Sequence, residues 1–247
     1  MKKYWSIAML FMSMTAMAQN MEGAWKLVSQ NGKPVTDKVC IKIFQDGYFA
    51  FGTSTADSGK FISAGGGQFS VQGNSYVEAM DFYTAKPEMV GQKTNYSFQL
   101  SKNKMTIEAS LHGTQLLEVW ERQSNAKDEL SGNWVITGRK RDSTISRSTP
   151  GARRTIKILS GGRFQWVAFN SDTKEFMGTG GGSYTATNGK YEEHIEFFSR
   201  DDKRVGARLG FSYSIQNGEW HHSGLSSAGA PIYEIWSKYA LAYKPAK

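Results

Sequence analysis

The chain has a single cysteine, Cys40, in 247 residues, so no disulfide can form within it. A hydrophobic core must hold the fold together, and units of about 100 residues can build one. No run shows sustained helical spacing, and past the N-terminus no apolar stretch approaches the length of a transmembrane helix. The glycines give no phosphate loop. Gly52 and Gly59-Lys60 are separated by six residues where four are needed, and Phe61 stands where a hydroxyl side chain should follow. No serine or cysteine has a recognisable base and orienting partner, so the expectation is a protein that is not an enzyme, with no catalytic residues. The four histidines, His112, His194, His221 and His222, have no metal-ligand spacing. The adjacent pair His221-His222 would point to opposite faces of a strand. No metal site and no cofactor are expected. Nucleic acid is not an expected partner despite a pI near 9.4, because the aromatics fall at core periodicity and do not interleave with the arginines.

Residues 1–18 read as a signal peptide. Lys2 and Lys3 precede a mostly apolar stretch from Ile7 to Met17, and Ala16-Met17-Ala18 is a small-x-small cleavage signal. With no cysteine at that point to carry a lipid, the expectation is a soluble exported protein, periplasmic or extracellular, with no transmembrane segment. The charge of the remainder is uneven. Residues 19–123 carry ten Lys/Arg and ten Asp/Glu, whereas residues 124–247 carry eighteen and twelve. Nine of the ten arginines lie in the second half, and Arg122 is the exception.

The chain repeats itself. Gly23-Ala24-Trp25 opens one unit and Glu118-Val119-Trp120 closes it; Gly132-Asn133-Trp134 and Glu234-Ile235-Trp236 frame a second. Residues 41–100 align without a gap to 156–215, with 16 identities in 60 positions at a fixed offset of 115. The matches include Ile41/Ile156, the triplets Gly65–Gly67 and Gly180–Gly182, Tyr76/Tyr191, Glu78/Glu193 and Phe82/Phe197. The organisation expected is a first unit over 19–123, a linker over 124–129, a second unit over 130–239 and a tail over 240–247.

Each unit reads as β throughout. Ile41 and Ile43 alternate with Lys42, and Asp46-Gly47 before Tyr48–Phe51 is a hairpin signal. In the first unit the runs fall near 24–29, 39–45, 48–53, 60–71, 75–83, 92–100, 104–111 and 115–122. Eight short antiparallel strands lose their exposed edges by closing into an up-and-down barrel. The fold class expected is therefore all-β, two tandem eight-stranded antiparallel barrels. In such a barrel the first and last strands are neighbours. This resembles the lipocalin (calycin) pattern of a G-x-W on the first strand with a basic residue of the last strand across the tryptophan face. The resemblance pairs Trp25 with Arg122 and Trp134 with Lys238 as barrel closures, although Lys238 lacks the planar stack of arginine. The doubled motif set, with Tyr191-Glu-Glu-His-Ile195 and Tyr233-Glu-Ile-Trp236, is similar to the lipocalin-like domains of exported Bacteroidetes proteins, a family without a settled function.

Strand parity puts the loops 137–155, 168–175, 199–206 and 222–231 of the second unit at one open rim. The first of these is six residues longer than its counterpart, since Trp25 and Trp134 are offset by 109. It carries Arg139, Lys140, Arg141, Arg147, Arg153 and Arg154 against Asp142. A rim of one dominant sign concentrates anions, so Arg139, Arg141, Arg153 and Arg154 are candidate ligand contacts. Glu78 and Glu193 are further candidates. They share parity with Tyr76, Met80 and Phe82, or with Tyr191, Ile195 and Phe197, which places a carboxylate among inward aromatics. That carboxylate either belongs to a site, with Tyr76 and Tyr191, or is held structurally by tyrosine hydroxyls or a cross-barrel base. The glycine triplets are expected to let a strand bend or bulge. The reading is a binding protein for a small apolar, anionic ligand. The alternative is an interaction module with side-chain-filled barrels, docking its Arg-rich loop on an acidic surface or protein.

Overall fold

A computed structural model describes residues 21–111, 113–226 and 228–243. The expected signal segment, residues 1–18, and His112 lie outside the described residues. In the first unit the strands are β1 (Gly23–Gln30), β2 (Lys33–Pro34), β3 (Lys38–Gln45), β4 (Tyr48–Thr55), β5 (Phe61–Gln72), β6 (Ser75–Tyr83), β7 (Lys93–Leu100), β8 (Lys104–Leu111) and β9 (Thr114–Ser124). In the second they are β10 (Gly132–Arg141), β11 (Thr144–Arg147), β12 (Arg153–Ser160), β13 (Arg163–Asn170), β14 (Glu175–Thr187), β15 (Lys190–Phe198), β16 (Arg208–Gln216), β17 (Glu219–Leu225) and β18 (Pro231–Lys238). Neighbours pair antiparallel in chain order, and β1–β9 and β10–β18 close the two sheets. The result is two eight-stranded barrels, as expected, each with one short strand added. The added strands β2 and β11 pair back on the far ends of β1 and β10.

Tight turns set the register. Asp46-Gly47 takes φ of 54° and 71°, and Gly161-Gly162 takes 61° and 70° at the same place in the second unit. Two successive left-handed residues match the twist of the flanking strands.

Each closure is a cation over an indole. The Arg122 guanidinium lies 4.1 Å from the Trp25 ring centre, and Lys238 Nζ lies 4.0 Å from that of Trp134. Each indole N–H donates to a backbone oxygen four residues earlier, Met21 O at 2.9 Å and Leu130 O at 2.8 Å. Lys238 Nζ also donates to Ser131 O at 3.0 Å, a bond that fixes the ammonium group over the ring without the planar stack of arginine.

The glycine triplets sit at bulges. The pairing slips between Gly66 and Gly67, opposite Met80 and Phe82, and again between Gly181 and Gly182, opposite Ile195 and Phe197. A methyl group on Gly67 or Gly182 would collide with the carbonyl oxygen of Ala79 or His194, so no side chain is tolerated there. The extra residue resets the alternation. Phe82 and Phe197 therefore do not share the inward face of Glu78 and Glu193, as strict parity implied. They point outward, Phe82 against Phe169 at 5.3 Å and Phe197 against Phe61 at 6.2 Å.

The outward face of these strands is covered by the other barrel. Ile43, Phe82, Ile156, Ile158, Val167 and Phe169 form one buried cluster between the barrels. On β3 and β12 the usual pattern is thus inverted: the isoleucines face outward into this contact and the lysines Lys42 and Lys157 face inward. Equivalent positions meet across it. Phe61 stacks on Phe176 with ring centres 6.4 Å apart and planes 4° from parallel. Ser160 Oγ donates to Gln45 Oε1 at 2.7 Å. Both pairs are separated by 115 residues, so the repeats pack about a local twofold, as an isologous dimer does. The described end of the tail joins them. The helical turn α1 (Tyr239–Ala242) places Tyr239 5.4 Å from Tyr48.

The side chain of Arg154, a candidate ligand contact from the sequence, is engaged in this contact, although the residue also borders the cavity of the second barrel. It shares the parity of Ile156 and Ile158. Its guanidinium donates to Asp81 Oδ2 at 3.0 Å and lies 4.5 Å and 4.1 Å from the Phe169 and Tyr243 ring centres. Its side chain is 1% exposed. Replacing Arg154 by Met leaves the Asp81 carboxylate with tyrosine hydroxyls but no cation among the described residues, and should lower stability by about 3 kcal/mol. Arg153→Met, on the exposed neighbour, should change it by less than about 0.5 kcal/mol. Urea denaturation of the two variants compares them, and equal losses would contradict this placement.

Candidate ligand-binding site

The floor of each barrel is a buried ion pair. Lys42 on β3 reaches across the interior to Glu78 on β6, with Nζ 2.8 Å from Oε1. Lys157 on β12 makes the same bond to Glu193 on β15, at 2.6 Å. The Tyr191 hydroxyl donates to Glu193 Oε1 at 2.8 Å, and Tyr76 donates to Glu78 in the same way. Aromatic faces surround the ammonium groups: Lys157 Nζ lies 5.3 Å from the ring centres of Tyr191, Trp220 and Trp236. Burial works against the charge of Lys42, but Glu78 and Glu118 together outweigh it, so its pKa is raised. The carboxylates are thus satisfied by their own barrels. Tyr76 and Tyr191 are fully buried, with their hydroxyls committed to the same pairs. Of the two structural and site readings of these residues, the geometry is that of cross-barrel supports. Glu193 alone among these four borders the cavity described next.

Above the floor of the second barrel lies a cavity of about 1160 Å³. Its apolar wall includes Ile136, Trp166, Phe198, Leu209 and Phe211, and its mouth carries Arg139, Arg141, Arg153 and Arg200. All four loops assigned to the open rim contribute, through Ser148, Asn170, Arg200 and Ser226 among others. Arg139 is held by Glu234, 3.3 Å from Nε. Arg200 donates through Nε to Met177 O at 2.8 Å, and Arg153 Nε approaches Met177 Sδ at 3.4 Å. Among the described residues Arg141, Arg153 and Arg200 have no carboxylate partner. Arg147, by contrast, is neutralised by a two-pronged bond to Glu219 at 2.8 and 2.9 Å.

His222 is the residue that sequence reading missed. It faces inward from β17, 2% exposed, with its ring 4.3 Å from Phe211 and 5.2 Å from Trp220. Among the described residues neither ring nitrogen has a hydrogen-bond partner, and Glu234 Oε2 is 3.7 Å from Nδ1. Burial holds the imidazole below the free-histidine value of 6.5, while Glu234 pulls the other way. Burial would raise Glu234, but His222, Lys157 and Arg139 hold it below the ordinary carboxylate value. The corresponding pair in the first barrel is Ile107 opposite Glu118, where His222 stands opposite Glu234. There Gln30 Nε2 and Trp120 Nε1 each donate to Glu118 at 3.1 Å. The signal was present as a departure from the repeat, since isoleucine became histidine at an inward position. His221, one residue away, faces outward and bonds the Tyr233 hydroxyl at 2.8 Å.

Among the described residues no group of three or more His, Cys, Asp or Glu side chains is placed to hold a metal ion. No helix among them is long and apolar enough to cross a membrane. Cys40 is buried in the first barrel, which pushes its thiol up to about 11.

Residues 20–128, the first unit, match a family model described as a domain of unknown function (DUF4488). No curated protein matches the chain.

A histidine kept neutral by the fold but protonated when unfolded lowers stability as pH falls below about 6.5. The His222→Ile variant copies Ile107 and lacks that penalty. Its denaturation midpoint relative to the unsubstituted protein should therefore rise between pH 7.5 and pH 5, and a constant difference would contradict a buried neutral His222.

Proposed function

We propose that the chain is an exported, lipocalin-like binding protein whose second barrel takes a small anionic ligand with an apolar body. The observation that carries this reading is the cavity of about 1160 Å³ with carboxylate-free arginines at its mouth and aromatic and aliphatic side chains below. Ligand cavities commonly measure about 300–1,000 Å³ and pair an apolar lining with a few polar groups that fix orientation. The satisfied Lys157–Glu193 floor repels neither an apolar body nor its dipoles. An anionic head at depth would face Glu193 and Glu234, so the head belongs at the mouth, on Arg141, Arg153 and Arg200. The cavity favours this reading over the alternative of side-chain-filled barrels docking through the Arg-rich loop. Export rests on the character of residues 1–18, and no catalytic role is proposed.

Two fluorescent probes of similar shape test the reading. The sulfonate 1-anilinonaphthalene-8-sulfonate should bind, and the double variant Arg141→Gln/Arg153→Gln should weaken it about tenfold or more, at about one kcal/mol per lost charge contact. Uncharged N-phenyl-1-naphthylamine should bind both proteins alike, and Ala168→Trp, which fills the cavity, should abolish binding of both. Sulfonate binding that ignores both changes would overturn the proposal.

A further inference from the structure

Beyond the cavity, the rim around its mouth carries exposed apolar side chains that nothing among the described residues covers. Leu225 is 56% exposed at the end of β17, and Ile145 is 48% exposed on β11. They are among the four large hydrophobic residues most exposed in the described chain, with Ile62 and Leu241. Both lie at the same rim. Lys140 of β10 pairs with Ile145, Arg139 of β10 pairs with Glu234 of β18, and Leu225 of β17 pairs with Pro231 of β18. Strands β11, β10, β18 and β17 are thus consecutive neighbours there, and three strand spacings put the two tips about 15 Å apart. Their neighbours Ser146 and Ser226 line the cavity mouth. The hairpin that follows Leu225 is uncharged, with Ala228, Gly229, Ala230 and Pro231 all exposed. Between the tips stand Lys140 and Arg141, and Arg153 borders the same mouth.

The first barrel lacks these two tips, although Ile62 is exposed at its own rim. The position of Leu225 is Ser110 there, and Ile145 lies in the six-residue extension that also brings Arg141, whereas Arg153 stands where the first unit has Lys38. The two tips and Arg141 therefore distinguish the rim of the second barrel together. Cations alone would suit any acidic partner. Two separated aliphatic tips flanked by cations suit a surface that is anionic outside and hydrocarbon beneath, since each tip can enter the headgroup layer while the arginines stay with the phosphates. We propose that the open rim of the second barrel docks on an anionic lipid bilayer, with Leu225 and Ile145 as the inserting residues. Docked this way, the mouth of the cavity opens onto the membrane. The proposal does not depend on what the cavity holds.

Co-sedimentation of the purified protein with phosphatidylcholine vesicles, with and without one-quarter phosphatidylglycerol, tests it. Binding is expected only with phosphatidylglycerol and should fall at high salt. Leu225→Ser and Ile145→Ser should each weaken it about fivefold or more, and Arg141→Gln about fivefold. The same substitutions leave the interior untouched, so 1-anilinonaphthalene-8-sulfonate binding of the two serine variants should not change. Absence of vesicle binding overturns the proposal. So does binding that needs the arginine but ignores both serine substitutions, which would identify a purely electrostatic surface for an acidic protein or polysaccharide.

Discussion

The interior of each barrel is organised by one lysine that crosses it. Lys42 and Lys157 are the same position in the two repeats, and each bridges from the second barrel strand to the fifth to reach Glu78 or Glu193. A charge in that place is tolerable only when paired and ringed by polarisable faces. The tyrosine two residues before each glutamate adds a hydroxyl, and tryptophans of the last strands, Trp120 in the first barrel and Trp220 and Trp236 in the second, cap the ammonium group. This commitment has a geometric consequence on the other side of the wall. With the lysine inward, the flanking isoleucines must face outward, and an outward run of isoleucine and phenylalanine needs a partner. The second barrel supplies it. The inner ion pair and the contact between barrels are therefore two faces of the same strand pattern.

The contact between barrels explains several residues that look functional when taken singly. Arg154, Phe82, Phe197 and Tyr239 all serve it, and Asp81 gathers Arg154, Tyr48 and Tyr239 around one carboxylate. The meeting of equivalent residues, Phe61 with Phe176 and Gln45 with Ser160, gives the tandem chain the geometry of a dimer whose subunits have been joined.

The proposed function rests on what the second copy changed. Ile107 became His222, Gln30 became Arg139, Ser110 became Leu225, and six residues were added to the first rim loop. These changes all fall at or above the level of the cavity, while the floor was kept. A rigid lower half with a variable upper half is the division a barrel permits, because closure fixes one end and the loops of the other are free to vary.

Much of this was legible in the sequence. The offset of 115 residues, the hairpin at Asp46-Gly47 and the paired tryptophan marks determined two closed barrels, because strand period and turn chemistry act locally. The bulge was half legible: the glycine triplets announced it, but its effect on Phe82 and Phe197 depends on which side the extra residue falls. Lys42 stood in plain view between Ile41 and Ile43, but the sequence offered only an unnamed cross-barrel base for Glu78 and Glu193, because no local pattern says which base reaches across. What no local pattern could decide is which face of a strand meets water, because that depends on a second barrel arriving to cover it. The sequence by itself determined the barrels and their number. Only the tertiary structure decided that Arg154 is buried, that Glu193 is already neutralised, and that His222 lies in a cavity with the arginines at its mouth, since each of these results from groups brought together from strands far apart in the chain.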